Sequence, residues 1–366
     1  MSGSADAAGR GQAVGPPGKT QAQAPVKGRD HIKKQRLFYL DFVRAVALAA
    51  ILIIHFNATV TGYFTLPHKL FASTLPFGIY LGDFGSSLFF IVSGAALALT
   101  TPPEQGLGTF YKKRARAIYP LFWLAWAVCF ALRFLSKPGY YAAAKTPTLL
   151  LTVLGLDNFA VAAGWVGMDF ACVGEWFLGS ILFLYLLFPL LNSGLRRSPV
   201  CTWVAALAVC LPVHLAGWDA QLVAIHVLEF LFGMQFLKLG GKARTVLALL
   251  AAVGTPLCAG WNSKVTCALF SVVVFTLLAA VSRLFDRPWP RAVCGYLAKI
   301  SYAVFLVHHV LIQRMAESFD LAALGRRDTL FLFLVYLGGT WAAAEGLLWL
   351  HRRLQKGYAA LRPQQN

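Results

Sequence analysis

The stretch LFYLDFVRAVALAAILIIHFNATVT, Leu37 to Thr61, is apolar and long enough to cross a bilayer as a helix, yet it carries Asp41, Arg44 and His55. An ionisable side chain at bilayer depth costs roughly 2.5–3.5 kcal/mol or more, so such groups face protein or water and mark function. Arg44 and His55 are eleven positions apart, three helical turns. At ~100° and ~1.5 Å per residue they share nearly one face, with ~16 Å between their backbones. Asp41 lies three residues before Arg44, so the two can meet one turn apart. The result is a polar stripe running from the helix entrance to an imidazole deep in the span. A seam that only packs helices together accounts for one histidine more easily than for three ionisable groups on one stripe.

The rest of the chain agrees with a membrane location. Its 366 residues are 58% hydrophobic and 13% charged, and the apolar residues come in runs of span length. The net charge of +18 does not indicate nucleic acid, because the basic residues fall in short clusters between apolar runs, as the positive-inside rule expects. The seven cysteines are scattered through apolar segments without a CxxC pair or a nearby histidine at ligand spacing. They read as small hydrophobes, with neither a disulfide framework nor a structural zinc site.

In order, residues 1–36 form a Gly, Ala, Pro and Gln-rich basic tail without periodicity, read as a disordered cytoplasmic segment. Spans are expected near 37–61, 79–100, 118–135, 172–191, 200–216, 220–237, 246–261, 265–281, 297–315 and 330–350. Basic clusters follow every second span, which places both termini in the cytoplasm. The expected architecture is an all-α bundle of roughly ten transmembrane helices over residues 37–352, with a cytoplasmic tail from 353 to 366. Within the outer loop from Ser136 to Asp169, TPTLLLTVLGL is too short to span and reads as interfacial or re-entrant.

Five blocks of sequence resemble the acyltransferase-3 family, integral-membrane enzymes that move acyl groups from coenzyme A onto extracytoplasmic glycans. They are LDFVRAVALAAILIIH (Leu40 to His55), GSSLFFIVSG (Gly85 to Gly94), YKKRARAIYPLFW, EWFLGSILFLYLLFPLL and ISYAVFLVHH (Ile300 to His309). Each is weak alone; five in order over most of the chain are not. The chain departs from the family at Ile181, where many members carry Glu, and has Glu175 just before Trp176 instead. No soluble esterase-like domain is seen in the sequence.

The resemblance implies acyl transfer, most simply of acetyl from acetyl-CoA, to a hydroxyl of a surface or exported polysaccharide or its lipid-linked precursor. His55 maps onto the family histidine and is the one base in the first span that titrates near neutral pH, so it is assigned as general base. Arg44 would hold coenzyme A phosphate or fix the local fold, and Asp41 would orient it. Arg114 and Arg116 stand where the family has its basic block and are candidates for acyl-CoA binding, while Lys112 and Lys113 read as topology-setting charge. Glu175, Trp176, His308 and Ser93 are candidates for the acceptor side. Glu175 beside Trp176 suits a sugar, with Asp169 nearby in the outer loop; His308 is a second catalytic or structural histidine. Ser93 could carry an acyl group, although Ser-Gly more often lets helices approach closely. Glu229 and Glu345 are further acids within spans that could bond neighbouring helices. Neither a bound cofactor nor a metal is expected. The partners implied are acyl-CoA, a glycan acceptor, the bilayer of the cell membrane and proteins of polysaccharide synthesis. A transporter or flippase for a glycan would also place charge in the spans, but should show paired halves with broken helices, and no internal repeat is apparent.

Overall fold

Ten apolar stretches become ten helices of 13 to 35 residues in a computed structural model, which describes residues 28–58, 70–102, 104–218, 222–319 and 323–360. They are α1 (Gly28–Asn57), α2 (Leu81–Thr100), α3 (Leu107–Ser136), α6 (Glu175–Arg197), α7 (Pro199–Leu215), α8 (Ala224–Phe236), α9 (Gly241–Cys258), α10 (Ser263–Val281), α11 (Pro288–Ser318) and α12 (Arg326–Ala360). Two short helices, α4 (Leu149–Leu154) and α5 (Asp157–Ala162), sit in the loop between α3 and α6. The one sheet among the described residues is a hairpin of two residues a side, Thr74–Leu75 with Ile79–Tyr80. Residues 1–27 and 361–366 of the expected tails, and most of the segment after the first span, lie outside the described residues. The first helix begins at Gly28, within the basic run that was expected to belong to the tail.

Seven of these helices are long and apolar enough to cross a membrane; α7 and α8 are apolar but shorter. At 13 residues α8 covers only ~20 Å of a hydrocarbon core of ~30 Å. Its apolar character has another cause. Ten of its residues are buried, including Phe230, Leu231 and Met234, so it is hydrophobic all round because it lies inside the bundle.

Two glycines set that position. A Cβ on Gly94 of α2 would stand 2.1 Å from the carbonyl oxygen of Phe230, and one on Gly233 of α8 would stand 1.9 Å from that of Ile91. The two backbones touch where the Ser-Gly of the second block meets α8, the close approach that small residues allow between membrane helices. The outward faces remain apolar, with Leu135, Leu190, Leu257 and Phe331 exposed. On a water-soluble protein these would be liabilities; on a membrane bundle they face lipid.

The loop between α3 and α6 turns back into the bundle. Tyr119 donates to the carbonyl of Leu154 (3.0 Å) and Trp123 to that of Val153 (2.9 Å). Tyr119 lies 17 residues before the end of α3, ~25 Å along its ~45 Å axis, so the end of α4 reaches past the middle of that helix. This piece is re-entrant. Its turn at Gly155, with φ +71°, is buried against Leu178 and Leu182 of α6, where irregular backbone is tolerated at membrane depth.

Gly233→Ala should therefore lower stability by about 1–3 kcal/mol despite the better helix propensity of alanine. Gly338→Ala in α12, where a Cβ meets nothing within 4 Å, should be neutral or slightly stabilising. Melting of the two purified variants in one detergent checks the contrast; equal melting temperatures would remove the crossing as a constraint.

Candidate active site

A cavity of ≈ 270 Å³ lies between α1, α2, α3, α6 and α11, and every one of the five sequence blocks contributes to its wall. Arg44 and His55 come from the first, Ser93 from the second, Arg114 from the third, Trp176 from the fourth and His308 from the fifth. Phe177 joins three of the blocks: its ring stacks on Phe90 at 5.0 Å, meets Phe89 edge-on at 5.8 Å and contacts Phe305 at 5.0 Å. The third and fifth blocks meet beside Pro120, where Tyr302 donates to the carbonyl of Ile118 at 3.2 Å.

The deep end of the cavity holds three imidazoles. The ring of His55 lies 4.8 Å from that of His308 and 4.1 Å from that of His309, with His308 and His309 4.5 Å apart. Each of the first two is oriented by its own helix. The Nδ1–H of His55 donates to the carbonyl of Ile51 at 2.8 Å, and that of His308 to the carbonyl of Phe305 at 2.7 Å. A carbonyl can only accept, so in the neutral rings Nε2 carries the lone pair. For His308 that Nε2 is buried without a hydrogen-bond partner. The three rings also place one nitrogen each within 4.8 Å of one another. A tetrahedral zinc with ~2.05 Å bonds would need its ligand nitrogens ~3.3 Å apart, so a metal would require the widest pair to close by more than an ångström.

Arg44 and Arg114 line the same cavity, and both guanidinium groups are close enough to Tyr185 to act on its phenol electrostatically. Ser93 lies beside that phenol on the same wall. The Nε of Arg114 is buried and unpartnered, so this side chain has a donor to offer a ligand. Arg116 does not line this cavity: two residues on, it is exposed on the outside of α3. The pair expected from the basic block thus separates into one arginine of the cavity and one of the surface. Asp41 is also off the cavity wall, near enough to Arg44 for their charges to interact.

Ile181, where many family members have Glu, is buried on the cavity wall. The side chain of Glu175 lies outside the described residues, but its backbone position is informative. Gly174, immediately before it, has φ +79° and packs on His309, where an added Cβ would come within 3.0 Å of Cδ2. Glu175 therefore starts α6 beside the histidine cluster, less than two turns from Ile181. Asp169 is buried outside the cavity, one carboxylate oxygen accepting from the N–H of Ala171. Glu345 accepts from Tyr296 at 2.8 Å, and Glu229 from Ser87 at 2.5 Å and His226 at 2.7 Å. Both acids bond neighbouring groups away from the histidines, as expected of them.

A second cavity, ≈ 610 Å³, opens at the C-terminal ends of α1, α3 and α11 and shares His55 and His309 with the first. No motif points to it directly. The signal for His309 was present, a second ionisable ring within the ninth span. The signal for Tyr185 was only its place in the fourth block.

The fold and cavity define a multi-pass membrane protein with a polar site built among its spans. Residues 37–345 match the family described as an acyltransferase domain, and the chain belongs to that family. Over 272 residues it is 27% identical to the acyltransferase MdmB of Streptomyces mycarofaciens, an alignment covering 64% of this chain and 69% of that protein. No solved structure matches it.

Glu229→Ala leaves buried Ser87 and partly buried His226 without their acceptor and should destabilise the protein by about 1–3 kcal/mol. Acyl transfer per folded molecule should stay close to wild type. A variant as stable as wild type but inactive would place Glu229 in the reaction instead.

Proposed function

We propose that the protein transfers an acyl group, most simply acetyl, from acyl-CoA to a hydroxyl of a glycan or lipid-linked glycan on the far side of the cell membrane. The observation that carries this reading is the position of His55. Its Nδ1–H is held by Ile51, its Nε2 is left as a base, and it lines both cavities. One cavity holds Arg44 and Arg114, and the basic end of the bundle faces the cytoplasm by the positive-inside rule. Coenzyme A arrives from that side, its phosphates on the two guanidinium groups and its thioester extended along the polar stripe towards the histidines. The acceptor hydroxyl arrives through the other cavity.

In the reaction the acceptor oxygen attacks the thioester carbonyl carbon while its proton passes to Nε2 of His55. The tetrahedral intermediate collapses, the carbon–sulfur bond breaks, and the departing thiolate takes the proton back from His55. The products are an ester and free coenzyme A. On this reading transfer is direct, and Ser93, beside Tyr185 and near the tight α2–α8 crossing, serves the wall of the cavity. His308 faces His55 with its own Nδ1–H fixed on the main chain and keeps the base ring in place.

The test is transfer of labelled acetyl from acetyl-CoA to membrane and surface glycan at matched expression. His55→Ala should lose about 10²–10⁴-fold in rate, the usual contribution of a general base. Arg114→Gln should raise KM for acetyl-CoA about tenfold, the scale of one charge-assisted hydrogen bond, with a smaller change in kcat. Undiminished transfer by His55→Ala removes it as the base, and label absent with every acyl-CoA donor rejects the enzyme reading.

A further inference from the structure

The second cavity carries a charge that the acyl transfer itself does not require. Three cationic side chains, Arg133, Lys137 and Arg314, line it against one carboxylate, Glu317, among the described residues. By the positive-inside rule this end of the bundle should be poor in Lys and Arg, so topology does not account for the cluster. Nor are these charges loosely placed. Arg133 donates to Oε1 of Gln313 at 2.8 Å and lies over the ring of Tyr140, 4.6 Å from its centroid. Lys137 and Arg314 both pair with Glu317, at 2.7 and 3.2 Å, and Arg314 also donates to the hydroxyl of Ser136. One acid shared between two bases leaves a surplus of positive charge held in fixed positions.

From these contacts we infer that the cavity binds an acceptor carrying an anionic group, a carboxylate or a phosphate, on or next to the sugar whose hydroxyl is acylated. This rests on the acyltransferase reading above and adds the chemical class of the acceptor. Three features point to a sugar rather than a loose counter-ion. The cavity opens directly on His55 and His309, so whatever it holds is presented to the base. Tyr80 and Tyr140 give it aromatic walls, the surface on which sugar rings stack. Its ≈ 610 Å³ is the size of a site for one or two sugar rings. The guanidinium groups of Arg133 and Arg314 are suited to a planar carboxylate or to phosphate oxygens.

The test is binding to the full-length protein in neutral detergent micelles, using methyl β-glucuronide, glucose 6-phosphate and methyl β-glucoside. The first two separate carboxylate from phosphate and the third is the neutral control. At least one anionic sugar should bind about tenfold or more tightly than the glucoside. Arg314→Gln combined with Lys137→Gln should bring the two within about twofold. Equal binding of charged and neutral sugars overturns the proposal, as does a preference that survives the double substitution in a protein that still elutes as one folded species. Occupation by phosphatidylglycerol in mixed micelles with no response to either anionic sugar overturns it too. Coenzyme A affinity that falls with the double substitution, while sugar preference does not, would make this the donor site and likewise sink the idea. Selective anionic binding without acetyl transfer from any acyl-CoA upholds the site and rejects the enzyme reading, so the two fail separately.

Discussion

A histidine placed among membrane spans has two nitrogens to satisfy and little water to do it with. In this protein the two that face one another, His55 and His308, each solve half of the problem the same way, by giving Nδ1–H to a carbonyl one turn back in the same helix. That choice leaves both Nε2 atoms looking for a proton or a donor in a space where a charged ring is expensive. A base so placed is strong enough to take a proton from a hydroxyl only while something anionic or polar forms beside it. Everything else in the bundle serves that arrangement: α11 brings two adjacent histidines to the ring of α1, and Gly174 lets the start of α6 close over one of them.

The aromatic residues of the sequence blocks explain why the histidines can be held this firmly. Phe90, fully buried, lies between Phe177 and His226, and Phe177 reaches on to Phe305 one turn before His308. Moving any one of these helices would break ring contacts with the others. The glycine contact between α2 and α8 fixes the same group from behind, so the cavity is framed by close packing rather than by loops. A site built on packed helices keeps its geometry, which proton transfer over a few tenths of an ångström demands.

Much of this was legible in the chain. The polar stripe of Asp41, Arg44 and His55 needs only helical periodicity and the cost of charge in a bilayer, and the order of the five blocks brought the right helices together. Other features were hidden for physical reasons. Arg114 and Arg116 differ by two residues, ~200° around a helix, so one of them had to leave the cavity, but sequence alone does not say which. The apolar run of α8 reads as a span because hydropathy measures burial without distinguishing lipid from protein. The re-entrant loop is decided by tyrosine and tryptophan hydrogen bonds to carbonyls thirty or more residues away in sequence, and no local pattern encodes such contacts. The basic cavity at the far end joins side chains from two helices separated by some 180 residues.

The sizes of the two cavities bear on how the reaction is divided between the faces of the membrane. At ≈ 270 Å³ the inner one is below the usual range for a site that engulfs a drug-sized ligand, and a coenzyme A nucleotide would not fit beside the five aromatic and aliphatic walls that frame it. On the proposed function only the slender thioester arm enters, and the nucleotide stays at the arginine end. The outer cavity is about twice as large and more polar in its lining. On the same proposal a narrow apolar entry for the donor and a broad charged one for the acceptor meet at His55 and His309, which line both cavities. If a thioester is held there as proposed, water reaching it through the outer side would hydrolyse it, and the proposed acceptor would have to displace that water as it binds. Selectivity for the acceptor and protection of the donor are then one event. It takes place at the histidines, the one part of the lining that both cavities share.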